Sequence, residues 1–353
     1  MKYLPRIDSL RFFAVFAVIL SHWLGSNFIV KKLPLLGYYG VSFFFVLSGF
    51  LITRILWQQR DVKKSLFNKL KNFFAKRAIR IFPIYYLSIF FFLFTIPAIF
   101  ENNFVYFFTY LSNFLTFFSS KWPDMLSHFW SLAVEEQFYL FWPFIILLMK
   151  KDLFLKINFL IIIFSVLFKS YFNYYASQNI SYYSLLPFSQ LDLFAIGAIL
   201  AFKYDTFVLE LDKFKRYKLL IFLILIVSIN LISPRLIIIQ NVFFGILSCI
   251  IILLSDRRLN LYLFKILDQK FLIFLGKISY GLYVYHNFIP WLIRNLNGTE
   301  IRYQLNFKYS ILPNDINPII WFLLSILLLI TISSISWFFI EKPILKLKSK
   351  FNT

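Results

Sequence analysis

Arg11 and His22 are the first residues whose types and spacing suggest chemistry. They lie eleven residues apart within the mostly apolar run 7–24, long enough to cross most of a bilayer. A guanidinium and an imidazole are both costly in hydrocarbon, and inside a membrane they mark function by default. Eleven residues close about three helical turns, so both side chains leave one face, roughly 16 Å apart along the axis. The pair suggests anion binding near one mouth of the helix and base chemistry past its middle. The alternative makes Arg11 a snorkelling interface anchor and His22 a hydrogen-bonded packing residue.

Other polar residues recur in apolar surroundings. Arg77 and Arg80 in Lys76-Arg-Ala-Ile-Arg-Ile-Phe-Pro83 share a helical face, with Pro83 expected in a first turn or at a kink. Most of the charge in this loop is ordinary, but paired arginines at a membrane mouth suit phosphate through bidentate hydrogen bonds. Ser127-His-Phe-Trp-Ser-Leu-Ala-Val-Glu-Glu-Gln-Phe-Tyr139 puts His128, Glu135 and Tyr139 on one face. Glu135, roughly 13 Å from the outer end, reaches about the depth of His22, where a carboxylate could orient or protonate an imidazole. A structural ion pair is the competing role for Glu135. Glu136 points about 100° away and reads as structural. Asp192 is equally open to packing and function. Ser279, Tyr283 and His286 share a face; His286 by itself reads as a satisfied core histidine. Glu341-Lys-Pro343 reads as a span exit. The spacing of the three histidines fits no standard zinc motif, so no metal is expected.

Composition says what must position these groups. The chain has 353 residues, 60% hydrophobic and 22% aromatic, with mean hydropathy +0.74, well above a soluble domain, in which apolar residues make up about half. Apolar runs recur from end to end, so the fold class is all-α: a polytopic transmembrane helical bundle forming a single domain over 1–353. A barrel would show short alternating segments instead. Spans are expected at about 7–26, 36–57, 81–100, 126–149, 157–175, 188–203, 218–233, 235–255, 271–295 and 318–340. The net charge of +21 is concentrated in short loops: 58–80, Lys150 to Lys156, Lys203 to Lys218, Arg257 to Lys270, and the tail 342–350. All fall on one side if there are ten spans with both termini cytosolic. The segment 104–118 breaks that count unless it is re-entrant or interfacial on the outer side. Gly40, Ser42, Ser48 and Gly49 allow close helix approach in the second span. Lys2 and Arg6 before the first run suggest an uncleaved signal anchor, and no soluble domain is expected beside the membrane region. With no basic soluble domain, nucleic acid is excluded as a partner. Cys249 is the one cysteine, so an intramolecular disulfide is impossible.

In this order the segments resemble the acyltransferase-3 family of integral membrane O-acyltransferases, which includes O-antigen and cell-surface polysaccharide acetylases. The likeness rests on Arg11 and His22, Phe44-Phe-Val-Leu-Ser-Gly-Phe-Leu51, Arg77 and Arg80, Trp130-Ser-Leu-Ala-Val-Glu-Glu-Gln-Phe-Tyr139, Ile278-Ser-Tyr-Gly-Leu-Tyr283 with His286, and Glu341-Lys-Pro343. It implies ten spans in the inner (plasma) membrane, cytosolic acyl-CoA (acetyl-CoA) as donor, and a hydroxyl on an envelope glycan or lipid-linked oligosaccharide as acceptor. Some members carry an appended extracytoplasmic hydrolase-like domain, which is not expected here. Gln190 stands where the family often has Arg, which weakens any argument that Asp192 is ion-paired locally.

On that resemblance, Arg11, Arg77 and Arg80 would hold the CoA phosphates. His22 would deprotonate the acceptor or first accept the acyl group, and Glu135 would orient it. Trp130, Tyr139 and His286 are the candidates to face the sugar. Homo-oligomerisation is left open. The rival class is a transporter of a glycan or organic anion, because the same intramembrane charges also build substrate pathways.

Overall fold

Inside lipid a backbone must satisfy its own hydrogen bonds, and every described element is helical. The structure, a computed structural model, describes residues 3–24, 36–100, 103–175, 180–213, 237–256, 259, 262–296 and 318–351. In chain order the α-helices are α1 (Pro5–Leu24), α2 (Leu36–Arg60), α3 (Leu66–Thr95), α4 (Phe104–Phe108), α5 (Ser112–Ser119), α6 (Phe129–Leu148), α7 (Phe154–Tyr175), α8 (Leu191–Lys213), α9 (Ile237–Leu254), α10 (Lys270–Lys277), α11 (Ser279–Tyr285), α12 (Phe288–Leu296), α13 (Pro318–Ser336) and α14 (Lys342–Leu345). Six helical stretches among the described residues are long and apolar enough to cross a membrane: Pro5–Leu24, Leu36–Arg60, Leu66–Thr95, Phe129–Leu148, Lys151–Tyr175 and Ile320–Phe351. The expected span at 218–233 lies outside the described residues.

Helix α7 shows the solvent for which these helices are built. It buries Asn158, Ser165 and Lys169 while exposing Phe159, Leu160, Ile163, Phe164 and Leu167. A polar stripe turned inward and an apolar face turned outward are stable only against hydrocarbon.

Helix α2 is the hub, and small residues make it so. A Cβ at Gly40 would lie 2.5 Å from the Ala14 carbonyl oxygen of α1; one at Gly49 would lie 2.1 Å from that of Phe194 on α8. Gly197 of α8 returns the contact, 2.1 Å from the Val46 oxygen. Such backbone-to-backbone approach is the small-residue packing of membrane helices. Gly197→Ala is therefore expected to cost about 1–3 kcal/mol through overpacking. Gly245→Ala, whose Cβ would meet side-chain atoms rather than backbone, Ile196 Cδ1 at 2.8 Å and Leu193 Cδ2 at 3.4 Å, should cost less. Unfolding in mixed micelles checks the difference.

Three expectations are corrected, and the open role of Asp192 is decided. Helix α3 starts at Leu66, not near 81: Ser65 caps it by accepting from the Asn68 amide at 3.3 Å. Arg77 and Arg80 thus sit well inside a 30-residue helix, and Pro83 is interior rather than in a first turn. The apolar run 271–295 is not one continuous helix but three short ones in succession, broken at Ile278 and at His286–Asn287. Glu341 is no simple exit: it ends a π-helical turn, Trp337–Glu341, and is buried. Asp192 is ion-paired with Lys169 of α7, because the neighbouring helix supplies the cation that position 190 lacks.

The run 104–118 forms two helices of 5 and 8 residues, about 8 and 12 Å long, each too short to cross hydrocarbon. They join at Tyr110, which adopts φ +56° and stacks on Tyr85 at 4.0 Å between ring centroids. Gln137 of α6 anchors the segment, donating to the Tyr110 carbonyl at 2.8 Å and to Asn113 Oδ1 at 2.9 Å.

Candidate functional site

Helix α1 carries two constellations on one face, at different depths. The first surrounds Arg11. Arg11, Arg77 and Arg80 line a cavity of about 790 Å³ together with Ser48, Glu135, Glu136 and Tyr139. A second cavity, about 860 Å³, shares all three arginines, Ser48 and Tyr139, and extends past Asp8 and Ile7 to Leu4 and Tyr3. The shared residues make one passage that leads in from the N-terminal end of α1. Basic segments meet at that end: Arg6 pairs with Asp268 at 2.6 Å, Arg60 donates to the Met149 carbonyl at 2.5 Å, and Lys151 pairs with Asp61 at 3.0 Å.

The arginines come from two helices. Arg11 leans on Asp8, one turn back, at 3.5 Å. The Arg77 guanidinium lies over the Tyr139 ring, 5.3 Å from its centroid, a stacked position that lysine would not reproduce. Among the described residues neither Arg77 nor Arg80 forms a salt bridge, so their donors remain for a ligand. Guanidinium forks converging on a cavity fit the phosphates of a nucleotide-bearing donor.

The second constellation surrounds His22 and brings all three histidines together. His22 Nδ1 lies 2.8 Å from His286 Nε2 and 3.1 Å from Asn287 Oδ1. Asn287 Nδ2 donates to His128 Nδ1 at 3.0 Å. His286 Nδ1 faces the Tyr283 carbonyl at 2.6 Å, and His128 Nε2 faces that of Val284 at 3.0 Å. His128 and His286 are buried, whereas His22 is half-buried. The break after α11 explains the arrangement. A continued helix would spend the Tyr283 and Val284 carbonyls on the amides of residues 287 and 288; a helix that stops leaves its last carbonyls free, and two imidazoles take them.

Tyr283 and Ser131 stand where the two constellations meet. Both line the arginine cavity, and their hydroxyls lie 2.5 Å apart. Both donate to the His128 carbonyl, Ser131 at 3.0 Å and Tyr283 at 3.2 Å. The Tyr283 ring centroid is 5.6 Å from those of His128 and His286. His22 is not among the residues lining either cavity; it connects to the Tyr283 end of the passage through His286.

Several residues are therefore placed differently from the sequence expectation. Glu135 does not orient His22. Its carboxylate accepts from Ser48 and Tyr139, because α6 turns that face toward α2 and the arginines. Tyr139 lines the arginine cavity rather than an outer sugar site. Trp130 is buried with its ring centroid 6.1 Å from that of Phe45, and it lines neither cavity. His286 is bonded to His22. Sequence reasoning missed Asn287, although an amide beside a histidine inside an apolar run was a signal. It also missed Lys169, which the cost of intramembrane charge should have flagged. Among the described residues no cluster of three or more His, Cys, Asp or Glu is arranged to hold a metal ion.

Comparison with known proteins gives the family. The sequence profile of a family described as an acyltransferase domain matches residues 4–338. The O-acetyltransferase OatA of Staphylococcus aureus (strain NCTC 8325 / PS 47) is 28% identical over 376 residues, covering 98% of this chain and 58% of that protein. The peptidoglycan O-acetyltransferase OatA of Listeria monocytogenes serovar 1/2a is 41% identical over 164 residues, 42% of this chain and 25% of that protein. The chain thus spans little more than half the length of its full-length matches. No solved structure matches significantly. With a family match over nearly its whole length, and with the Arg11–His22 helix and both arginines of α3 gathered at one passage, the chain belongs to the acyltransferase-3 family of membrane proteins.

Proposed function

We propose that this protein transfers a short acyl group, acetyl first among them, from cytosolic acyl-CoA to a sugar hydroxyl of an envelope polysaccharide or its lipid-linked precursor. The likeness to the peptidoglycan O-acetyltransferase OatA of Listeria monocytogenes makes peptidoglycan the leading acceptor. The inner (plasma) membrane is the proposed site, with ten spans and both termini cytosolic. The observation that carries this reading is a passage lined by Arg11, Arg77 and Arg80 that stops against the pair Ser131–Tyr283, whose tyrosine ring neighbours His128 and His286, the latter bonded to His22.

Acyl-CoA, when bound, supplies an activated carbonyl on a thioester. Arg11, Arg77 and Arg80 hold its phosphates, and the passage leads its arm toward Ser131 and Tyr283. For the thioester to reach the histidine cluster, the buried Tyr283 side chain has to move aside. His22 then removes the proton of the acceptor hydroxyl as that oxygen attacks the thioester carbonyl. A carbon–oxygen bond forms, the carbon–sulfur bond breaks, and His22 returns the proton to the departing thiolate. In the two-step variant His22 itself carries the acyl group between donor and acceptor.

Purified protein incubated with labelled acetyl-CoA and peptidoglycan fragments tests the reading. Label should move to the glycan; a transporter would consume no acetyl-CoA. Arg77→Ala with Arg80→Ala should raise the KM for acetyl-CoA. Each lost charge-assisted contact is worth about 1.5–3 kcal/mol, so the combined rise should exceed about a hundredfold, with kcat at saturation changed far less. An unaltered affinity for CoA in calorimetry would remove the phosphate role.

A further inference from the structure

We infer that Asn287 and His286 hold His22 in the tautomer protonated on Nδ1, leaving Nε2 as the basic atom. The inference rests on His22 being the base of the proposed transfer, and it follows from two backbone carbonyls. A carbonyl oxygen only accepts. The Tyr283 carbonyl, 2.6 Å from His286 Nδ1, therefore requires a proton there. With His286 neutral, its Nε2 is a lone pair, and that lone pair faces His22 Nδ1 at 2.8 Å. The Val284 carbonyl, 3.0 Å from His128 Nε2, likewise requires a proton on that nitrogen. His128 Nδ1 is then a lone pair and must receive a donor, which fixes the amide orientation of Asn287: Nδ2 points to His128 at 3.0 Å and Oδ1 to His22 at 3.1 Å.

His22 Nδ1 thus faces two acceptors, His286 Nε2 and Asn287 Oδ1, and must carry its proton there. The reversed amide does not work, because it would drive the His128 proton to Nδ1 and set a bare Nε2 against the Val284 oxygen. Among the described residues nothing bonds to His22 Nε2, which is left as the free lone pair. The same contacts serve after proton transfer. When Nε2 takes the acceptor's proton, the imidazolium still donates from Nδ1 into both acceptors, and these stabilise its charge. Fixing the reactive nitrogen through a hydrogen bond to the other is a general device of histidine chemistry. Here His286 and Asn287 are positioning residues, and they fill the role that the sequence suggested for Glu135.

The chain has three histidines, so a 15N spectrum of the full chain labelled at histidine and reconstituted in lipid contains three rings. His22→Gln and His286→Gln assign them. The expected pattern is Nδ1–H for His22 and His286 and Nε2–H for His128; an Nε2–H tautomer at His22 overturns the inference. That readout needs no turnover, so it decides the tautomer even if the chain proves to transfer no acyl group.

Kinetics give a second check. Asn287→Leu removes the amide's bonds to His22 and His128 and its 3.4 Å contact with Ser127 Oγ, and should lower kcat on the order of a hundredfold, as expected for a misdirected general base, with the KM for acetyl-CoA unchanged. Asn287→Asp keeps an acceptor for His22 and should recover at least tenfold over the leucine variant. Equal loss in the two variants, or no loss in either, would assign Asn287 a merely structural role and refute the proposal.

Discussion

His22→Ala should lower acyl transfer by about 10²–10⁴-fold, the usual worth of a general base, and the loss should fall on kcat. The KM for acetyl-CoA should hold, because the arginine cavity does not include His22. The fold should survive as well. His22 is half-buried, at the edge of its cluster, and its removal leaves His286 held by the Tyr283 carbonyl and His128 by that of Val284. Trp23, next in the chain, still donates from Nε1 to the His286 carbonyl at 3.2 Å, keeping the end of α1 against the break after α11. Turnover of labelled acetyl-CoA by purified variant, beside a thermal unfolding curve, makes the check. Wild-type turnover in a folded variant would end the role given to His22.

Lys169→Met should produce the largest loss of stability. Lys169 and Asp192 form an ion pair with side chains 3% and 0% exposed. Removing one member of such a pair leaves the other as an uncompensated buried charge and costs about 3–5 kcal/mol. The Asp192 carboxylate would keep only the Leu193 amide, which donates to Oδ1 at 3.0 Å. Gln190 spends one amide N–H on the Ser184 carbonyl at 2.6 Å and, being neutral, cannot replace the lost cation. Replacing both members, Lys169→Met with Asp192→Leu, should recover most of the loss, because a buried pair exchanged for apolar side chains is often neutral. Unfolding of single and double variants in mixed micelles measures the difference. A single variant as stable as wild type would show that the pair holds nothing together.

The two predictions concern opposite outcomes for buried polar groups. Lys169 and Asp192 satisfy each other, which closes α7 against α8. The arginines of the passage have no salt-bridge partner at Arg77 or Arg80 among the described residues, and the histidine cluster keeps one nitrogen unengaged. Stability and chemistry thus occupy different parts of the bundle. Variants at Lys169 should lose fold before function, and variants at His22 the reverse.

Much of the active face was legible along single helices. Eleven residues on an α-helix return to nearly the same azimuth, so the alignment of Arg11 with His22 needed no tertiary information. The same holds for Arg77 with Arg80 and for Glu135 with Tyr139. Glycines 40 and 49 announced close packing of α2, although only Gly40 meets the first helix and Gly49 meets α8. The all-helical class followed from hydropathy and from the need of a backbone in lipid to pair with itself.

What spacing does not carry is how one helix is rotated against another. Glu135 and His22 matched in depth, yet in the packed bundle Glu135 meets Ser48 of α2 and His22 meets His286. The break at His286–Asn287 was hidden too, because the apolar pattern runs through it without a proline or glycine between Tyr285 and Phe288. Residue types and helical period therefore determined which groups could react and on which faces they stand. Only the packed bundle decided which groups meet, because partners from different helices are chosen by interhelical rotation and by where a helix ends, and neither is a property of a local stretch of chain.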